Sequence, residues 1–249
     1  MTVALALEDV TFGYGNAPVV DRLTLAVAEG EILVVLGPSG SGKSTVLRLL
    51  LGFAAPASGN VQVGGVLVTS GGEILVPPEE RNLAVVFQDL ALWPHLSLQG
   101  NLAFGLISRR VPKATREQRI AELLERVGLT GKEHRHPAEL SGGERQRAAI
   151  ARALVLEPRA ILLDEPLANL DAHRKRQLIE LFREIFKERK AAVVYVTHDL
   201  REAAALADRI AVLENGRVVQ EGTLDDLRSR PATEFVGALI ADLVWKPSP

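Results

Sequence analysis

Apolar and polar residues alternate over residues 5–10 and 23–27, which is the period of a half-buried β-strand. Strands that are buried on both faces of a parallel sheet show continuous apolar runs instead. Such runs occur at residues 31–36, 83–87, 160–163 and 191–196. Two turns are also predicted, because Gly64-Gly65 interrupts residues 61–68 and Asn215-Gly216 separates residues 210–213 from 218–220. We therefore expect both parallel strands and antiparallel hairpins.

Helical periodicity occupies the stretches between these strands. Apolar residues fall on one helical face at residues 44–51, and Gly52 is a typical C-cap for that segment. Helical patterns dominate from about residue 90 to 156, where Thr115 and Gln118 predict a capping box before the apolar face of residues 120–127.

This alternation of strands and helices predicts an α/β fold. We expect a largely parallel central sheet, an antiparallel β part and an inserted helical subdomain. Residues 1–249 are predicted to form one domain, with an α/β core lobe at 1–89 and 158–249 and the helical subdomain at 90–157. The last residues, from about Lys246, lack periodicity and are expected to fray.

A glycine-rich loop between a predicted strand and a predicted helix carries the clearest chemistry. It matches the phosphate-binding pattern G-x-x-x-x-G-K-[ST] and consists of Gly37, Pro38, Ser39, Gly40, Ser41, Gly42, Lys43, Ser44 and Thr45. Backbone N–H groups and the helix dipole would favour an anion here. Lys43 would reach the β- and γ-phosphates, and the Ser44 hydroxyl would bind Mg²⁺. The flanking strand and helix argue against the alternative, a turn with a chance lysine.

Two carboxylates and a histidine follow buried strands, at the sheet edge where α/β proteins bind ligands. Asp164 is placed to hold Mg²⁺ through water, and Glu165 to polarise the water that attacks a γ-phosphate. His198 is predicted to contact the γ-phosphate. The alternatives are helix-capping acids and a structural histidine. Such a structural or exposed role is the prediction for the other histidines, which are His95, His134, His136 and His173.

A second glycine motif, Ser141-Gly142-Gly143, precedes a predicted helix and is a second candidate phosphate site. A plain N-cap would use Ser141 alone. The paired glycines therefore indicate that a ligand or another molecule approaches the backbone closely.

Composition narrows the functional classes. The net charge of −2 gives no basic field for nucleic acid, and the absence of Cys excludes disulfides and cysteine metal sites. No apolar run approaches the roughly 20 residues of a membrane span, and the first ten residues lack the basic start of a signal peptide. We therefore expect a cytosolic protein, or one bound to a membrane through another protein.

Taken together, these motifs resemble those of the ATP-binding cassette (ABC) ATPases over nearly the whole chain. The phosphate loop resembles the Walker A motif of that family, residues 161–165 its Walker B motif with the catalytic glutamate, and residues 140–144 its signature motif. Further matches are the Q-loop glutamine, the D-loop, the switch histidine and the aromatic that stacks on adenine, at Gln88, Leu170-Asp171, His198 and Tyr14.

The resemblance implies a P-loop NTPase that hydrolyses ATP. By this resemblance, Glu165, His198 and Gln88 serve catalysis, and Ser44, Gln88 and Asp164 bind Mg²⁺. ATP contacts all residues of the phosphate loop, Ser44 included, the signature residues Ser141, Gly142 and Gly143, and Tyr14. Residues 77–82 and 92–97 further resemble bacterial importer ATPases, closest to those for iron, sulfate, polyamine, thiamine or sugar uptake.

For such an importer subunit the resemblance implies a homodimer or paired cassette, with ATP between the Walker A of one chain and the signature of the other. Partners would be transmembrane permease subunits and, indirectly, a solute-binding protein, with no nucleic acid. The expected location is peripheral, at the cytoplasmic face of the inner membrane. The alternatives are a soluble ABC-type ATPase acting on ribosomes or DNA, and a non-enzymatic ATP-binding regulator.

Two details after the Q-loop carry further expectations. Gly100 stands where this group of importers often has the Glu that would complete a capping box with Ser97, so we expect the helix there to start later or move more easily. Permease helices are expected to dock near residues 88–96, where Leu92, Trp93 and Leu96 offer apolar contacts. The same three side chains could instead belong to the core of the helical subdomain.

Overall fold

The computed structural model describes residues 2–15, 17–168 and 170–244. Asn16 and the predicted frayed end from Lys246 lie outside these residues. One of two sheets has five antiparallel strands in the order β2-β1-β4-β5-β6. Its strands are β1 (Val3–Phe12), β2 (Val20–Ala28), β4 (Ser58–Val63), β5 (Val66–Ser70) and β6 (Glu73–Ile74).

The second sheet has six strands in the order β11-β10-β3-β9-β8-β7. Neighbouring strands from β10 to β7 run parallel, and only β11 is antiparallel. All five residues of β3 are buried, as expected for a strand covered on both faces. The strands are β3 (Ile32–Leu36), β7 (Leu83–Val86), β8 (Ala160–Asp164), β9 (Ala192–Thr197), β10 (Arg209–Glu214) and β11 (Arg217–Gly222).

Three of the helices, α2 to α4, fall between β7 and β8, and the others alternate with strands or close the chain. In chain order they are α1 (Lys43–Leu51), α2 (Leu98–Ser108), α3 (Lys113–Arg126), α4 (Gly142–Leu154), α5 (Ala172–Arg189), α6 (Leu200–Leu206), α7 (Leu224–Ser229) and α8 (Glu234–Val244). One hydrophobic core joins α2–α6 to one face of the parallel sheet, and a second joins α1, the antiparallel sheet and the other face.

The predicted fold class is confirmed: a largely parallel sheet, an antiparallel sheet and a set of helices inserted between two parallel strands. Both predicted turns are also present. Gly64 and Gly65 connect β4 to β5, and Asn215 (φ 49°) and Gly216 (φ 77°) connect β10 to β11 with the positive φ angles of a tight hairpin turn. The division into residues 1–89 with 158–249 and residues 90–157 stays a prediction.

The prediction of a capping box at Thr115 and Gln118 is wrong. Helix α3 begins at Lys113 after Pro112, so Thr115 already lies inside the first turn. A proline with φ −55° is compatible with the helix entry and has no N–H to satisfy, so this helix starts without a side-chain cap.

The expectation that α2 starts later because of Gly100 is also wrong. The Gly100 backbone N–H donates to the Ser97 side chain at 3.1 Å, and this bond needs no side chain at residue 100. The preceding N–H groups of Leu98 and Gln99 donate to the carbonyls of Arg135 and Glu133, at 2.7 and 2.9 Å. These contacts satisfy the first turn, so the helix begins at Leu98.

Arg81 joins α1 to the antiparallel sheet. Its side chain is buried, and burial lowers its pKa. The guanidinium donates five hydrogen bonds, to the carbonyl oxygens of Leu49, Leu50, Val68 and Val76 and to the hydroxyl of Thr69. The Leu49 and Leu50 carbonyls lie at the C-terminal end of α1, where the helix dipole favours a cation. Gly52 makes room for it, because a Cβ there would lie 2.6 Å from the guanidinium carbon.

We predict that Arg81→Met lowers the free energy of unfolding by about 3 kcal/mol or more. The substitution leaves several buried carbonyls without a donor, and each unsatisfied group costs about 1–3 kcal/mol. Urea unfolding measures the change. The matched control is Arg183→Met on the exposed face of α5, which should stay within about 0.5 kcal/mol of the wild type. Equal stability of both variants would contradict a bracing role for Arg81.

Candidate active site

The phosphate loop connects the buried end of β3 to the first turn of α1. Gly37 is required by close packing, because a Cβ there would lie 2.2 Å from the Leu213 carbonyl oxygen. Gly42 is required by the backbone, which has φ 103° immediately before α1. Residues 38–40 are exposed, and residues 41–43 are buried. Residues 38–40 of the loop are therefore accessible to a ligand, while residues 41–43 are held by packing.

Lys43 is buried in this loop, where its Nζ donates to the Gly37 and Pro38 carbonyl oxygens at 2.8 and 2.9 Å. Burial lowers the pKa of Lys43, and the negative charges of Glu165 and Asp164 oppose that shift. The Ser41 hydroxyl is also buried and has no hydrogen-bond partner among the described residues. A cation and an unsatisfied hydroxyl at the start of a helix suit an anionic ligand rich in oxygen atoms.

Ser44 and Asp164 face each other across the sheet edge. The Ser44 hydroxyl donates to Asp164 Oδ1 at 3.1 Å. Burial raises the pKa of Asp164, while the hydrogen bond from Ser44 lowers it. Oxygen ligands of this kind suit Mg²⁺, which usually binds one or two protein groups and takes its remaining ligands from water and phosphate. Among the residues described, no cluster of three or more His, Cys, Asp or Glu side chains could hold a metal ion.

Glu165 and His198 form a pair beside these groups. The His198 Nδ1 and Glu165 Oε2 atoms are 2.9 Å apart. The Glu165 backbone has φ 43°, an unusual conformation for a residue other than glycine, and its N–H donates to the Val196 carbonyl at 3.0 Å. β9 therefore positions both residues, because His198 follows this strand directly and Val196 belongs to it.

Gln88 lies in an exposed segment after β7 and lines an open cleft together with Phe87, Asp89, Ala91 and Asp164. Gln88 therefore borders the same cleft as Asp164, a carboxylate of the phosphate site. Gln88 and Asp164 thus line one cleft, and their shared role in binding Mg²⁺ stays a prediction.

Tyr14 extends from the loop after β1 and is 66% exposed. Its ring packs edge-on against Phe12, with centroids 4.9 Å apart. The hydroxyl accepts a hydrogen bond from Arg48 of α1 at 2.8 Å. Tyr14 therefore presents an open aromatic face tied to the helix that follows the phosphate loop.

Ser141, Gly142 and Gly143 begin α4 in a different part of the surface. Ser141 and Glu144 form a reciprocal capping box, and Ser141 and Gly143 line an open cavity with Arg147 and Arg174. A Cβ on either glycine would have its nearest neighbour at 3.7 Å or more, which is ordinary contact. Packing within the described part of the chain therefore does not explain the two glycines.

Arg152 is a residue that the motifs did not indicate. Its guanidinium donates to the Ala91 and Leu90 carbonyls, at 2.6 and 3.0 Å, and lies 4.8 Å from the Trp93 ring centroid. Leu90 and Ala91 have positive φ angles, so this bracing holds an irregular backbone directly after Gln88. Its position between the buried Ala151 and Ala153 is a sequence signal for it.

The phosphate loop, an acid with a hydroxyl for a metal, and a carboxylate–histidine pair are the parts needed to cleave a phosphoanhydride. Binding and charge stabilisation carry most of the catalysis in such reactions, and a carboxylate oriented toward water supplies the rest. The arrangement is therefore that of a nucleoside-triphosphate hydrolase.

Comparison with known proteins identifies the family. Residues 20–168 match the family described as ABC transporter. The sulfate/thiosulfate import ATP-binding protein CysA of Nocardia farcinica is 46% identical over 230 residues, 92% of this chain and 68% of that protein. The Fe(3+) ions import ATP-binding protein FbpC of Rhizobium etli is 42% identical over 96% of this chain and 66% of that protein.

A trehalose/maltose import ATP-binding protein, MalK of Thermococcus litoralis, is 41% identical over 94% of this chain and 63% of that protein. The chain thus spans about two thirds of the length of the curated relatives it matches. A solved structure described as an ATP binding subunit of an ABC transporter superimposes with a TM-score of 0.78 and 29% identity, over 97% of this chain and 100% of that one.

These findings confirm the predicted class, an ATPase of the kind that serves ABC importers, and give no support to the ribosome or DNA alternative. Every relative described above is an ATP-binding protein of an import system. The match in sequence covers more than half the chain, and the match in structure covers nearly all of it. The chain therefore belongs to the ABC transporter family, among its ATP-binding subunits.

Proposed function

We propose that the chain binds ATP with Mg²⁺ at the phosphate loop and hydrolyses it to drive import through separate membrane subunits. The observation that carries this proposal is the convergence of Lys43, Ser44, Asp164, Glu165 and His198 at one edge of the parallel sheet. Ser44, Asp164 and Gln88 would hold Mg²⁺, which neutralises phosphate charge when bound.

In the proposed reaction, Glu165 orients and polarises the attacking water, and His198 keeps that carboxylate in place while contacting the γ-phosphate. Lys43 binds phosphate oxygens in place of the two carbonyls that it now contacts. Backbone N–H groups of residues 37–45 complete the anion site. Tyr14 stacks on the adenine with its exposed face.

We further propose that two copies pair, so that Ser141, Gly142 and Gly143 of one chain contact the nucleotide of the other. The signature residues line a cavity separate from the cleft of Gln88 and Asp164. No packing neighbour within the described part of the chain lies closer than 3.7 Å to a Cβ built on either glycine, which supports a role for these glycines in contacting an incoming ligand. Two-fold symmetry then makes two equivalent composite sites.

Attachment to a membrane is proposed to depend on permease subunits. In the part of the chain that the structure covers, every helix is too short or too polar to cross a bilayer. Phe104 and Ile107 of α2 are more than half exposed, and Trp93 packs against Phe104 with centroids 4.5 Å apart. Leu92, Trp93 and Leu96 are each half-buried, and Leu92 also packs against the hydrophobic core.

The proposed location is therefore peripheral, on the cytoplasmic face of the inner membrane. Sulfate or thiosulfate, ferric iron, and trehalose or maltose appear in the names of the relatives. Such different solutes on similar ATP-binding chains support recognition of the solute by other subunits, including a solute-binding protein.

The role of Glu165 is tested with Glu165→Gln. The amide keeps the shape and loses the basic oxygen, so hydrolysis should fall by about 10² or more while ATP still binds. Phosphate release measures turnover, and equilibrium binding of labelled ATP measures affinity. Retained turnover would show that Glu165 is a structural acid.

The role of Tyr14 is tested with Tyr14→Ala and Tyr14→Phe. Loss of the ring should weaken ATP binding by about 1–3 kcal/mol, the range of stacking between bases and aromatic side chains. Tyr14→Phe keeps the ring and loses only the bond to Arg48, so it should bind nearly as well as the wild type. Equal affinities in all three proteins would remove Tyr14 from the site.

The shared site is tested by mixing Lys43→Ala with Ser141→Arg chains. Each homodimer carries a defect in both of its sites and should be inactive. In a mixed dimer with sites shared between chains, one site combines the two intact motifs, and measurable ATPase activity returns.

If each chain used its own signature motif, every site would keep one defect and mixing would restore nothing. Mixed dimers must be demonstrated by differential tagging. If one labelled nucleotide is trapped per mixed dimer, an intact shared site exists even when cooperativity keeps its activity low. If no nucleotide is trapped in proven mixed dimers, the shared site is rejected.

A further inference from the structure

A buried ionic cluster lies directly behind His198 and has no part in the proposed reaction. It is centred on Glu202 of α6, which is 3% exposed. Carboxylates are almost never fully buried unless they are paired.

Glu202 accepts three hydrogen bonds from two other elements. Its Oε2 atom accepts from the Tyr195 hydroxyl at 2.8 Å and from the Thr197 hydroxyl at 2.9 Å, both in β9. Its Oε1 atom accepts from Lys175 Nζ at 2.7 Å, in α5. The carboxylate is thus held by one ammonium and two hydroxyl groups, which is enough to satisfy a buried charge.

The same cluster fixes the backbone that carries His198. The Thr197 hydroxyl also accepts the Asp199 backbone N–H at 3.0 Å, and Lys175 Nζ lies 3.5 Å from Asp199 Oδ2. Residues 197 and 199, on either side of His198, are therefore both tied to the cluster. Its imidazole is more than half exposed, so these neighbours supply restraint that the ring's own surroundings do not.

The cluster also bears on Glu165. The strained backbone of Glu165 is held by the Val196 carbonyl, which lies between Tyr195 and Thr197 in β9. Two of the three donors to Glu202 thus flank the residue that holds Glu165. Misplacement of reacting groups by about 1 Å can cost roughly 10² in rate.

We propose that Glu202, braced by Lys175, is a positioning residue that holds His198 and Glu165 in their reactive arrangement. It touches neither nucleotide nor metal and acts through the 195–199 backbone.

Lys175 lies one turn after Asp171, the N-cap of α5. The backbone N–H of Lys175 donates to the Asp171 carbonyl at 3.0 Å. The cluster therefore connects the start of α5, at the D-loop, to the switch histidine. This inference rests on the catalytic roles proposed above for Glu165 and His198.

The test is Glu202→Gln, which keeps the size of the side chain and removes its charge and one acceptor. We expect turnover of ATP to fall roughly ten- to a hundredfold, with ATP affinity within about twofold of the wild type. A general loss of structure would reduce both. The matched control is Lys187→Met, because Lys187 also joins α5 to a carboxylate, Asp208, at 2.7 Å but lies on a different part of the helix. This control should retain wild-type turnover.

Thr197→Val provides a second, nearly isosteric variant that removes the hydroxyl and leaves Glu202 in place. It should lower turnover in the same way, and combining it with Glu202→Gln should add little, because both break one chain of contacts. If Glu202→Gln does not fold, Thr197→Val alone decides the question.

Wild-type turnover in folded Glu202→Gln or Thr197→Val, or an equal loss in Lys187→Met, would overturn the proposal. Glu165→Gln is measured in parallel. If that variant is fully active, the proposed catalytic roles are wrong. If it is inactive while Glu202→Gln and Thr197→Val are fully active, only the positioning role is wrong.

Discussion

The parallel register of three adjacent strands sets the geometry on which the site depends. Leu36, the last residue before the phosphate loop, pairs with Thr197, and Asp164 pairs with Val196. The loop, the acidic pair and His198 therefore leave the sheet at one level because of backbone hydrogen bonds, before any side chain contributes. A slip of one residue would turn every side chain of a strand to the opposite face and separate these groups.

The common level of these strand ends explains why the residues of the candidate site could be predicted from the sequence. The phosphate loop, the Asp164-Glu165 pair and the Thr197-His198 segment each follow a continuous apolar run, and such runs end together in a parallel sheet. The residue types at Asn215-Gly216 and Gly52 also predicted a tight hairpin turn and a helix C-cap. Few other residues adopt the positive φ angles that these positions have. The starts of α3 and α2 were predicted wrongly from capping-box patterns, at Thr115 and Gly100. Pro112 and the carbonyls of the 133–135 segment fix those helix starts instead.

What the sequence could not supply is the partner of each buried charge. Arg81 reaches carbonyls more than 30 residues away, and Glu202 reaches a lysine 27 residues away on another helix. Neither spacing has a period, and neither residue stands in a motif that names its role. Arg152 is similar, because its acceptors are carbonyls that any residue would provide. Only folding reveals such connections, although they hold together the parts that the motifs identify.

The left-handed backbone of Glu165 places stability and activity in opposition at one residue. Glycine is the residue that accepts this conformation without strain. Glycine would also delete the carboxylate that the reaction is proposed to need. Selection or engineering for heat resistance alone would therefore favour Glu165→Gly, which would relieve the backbone strain and remove the proposed hydrolytic activity. A glutamate in this conformation is what one expects where turnover is favoured at some expense of stability.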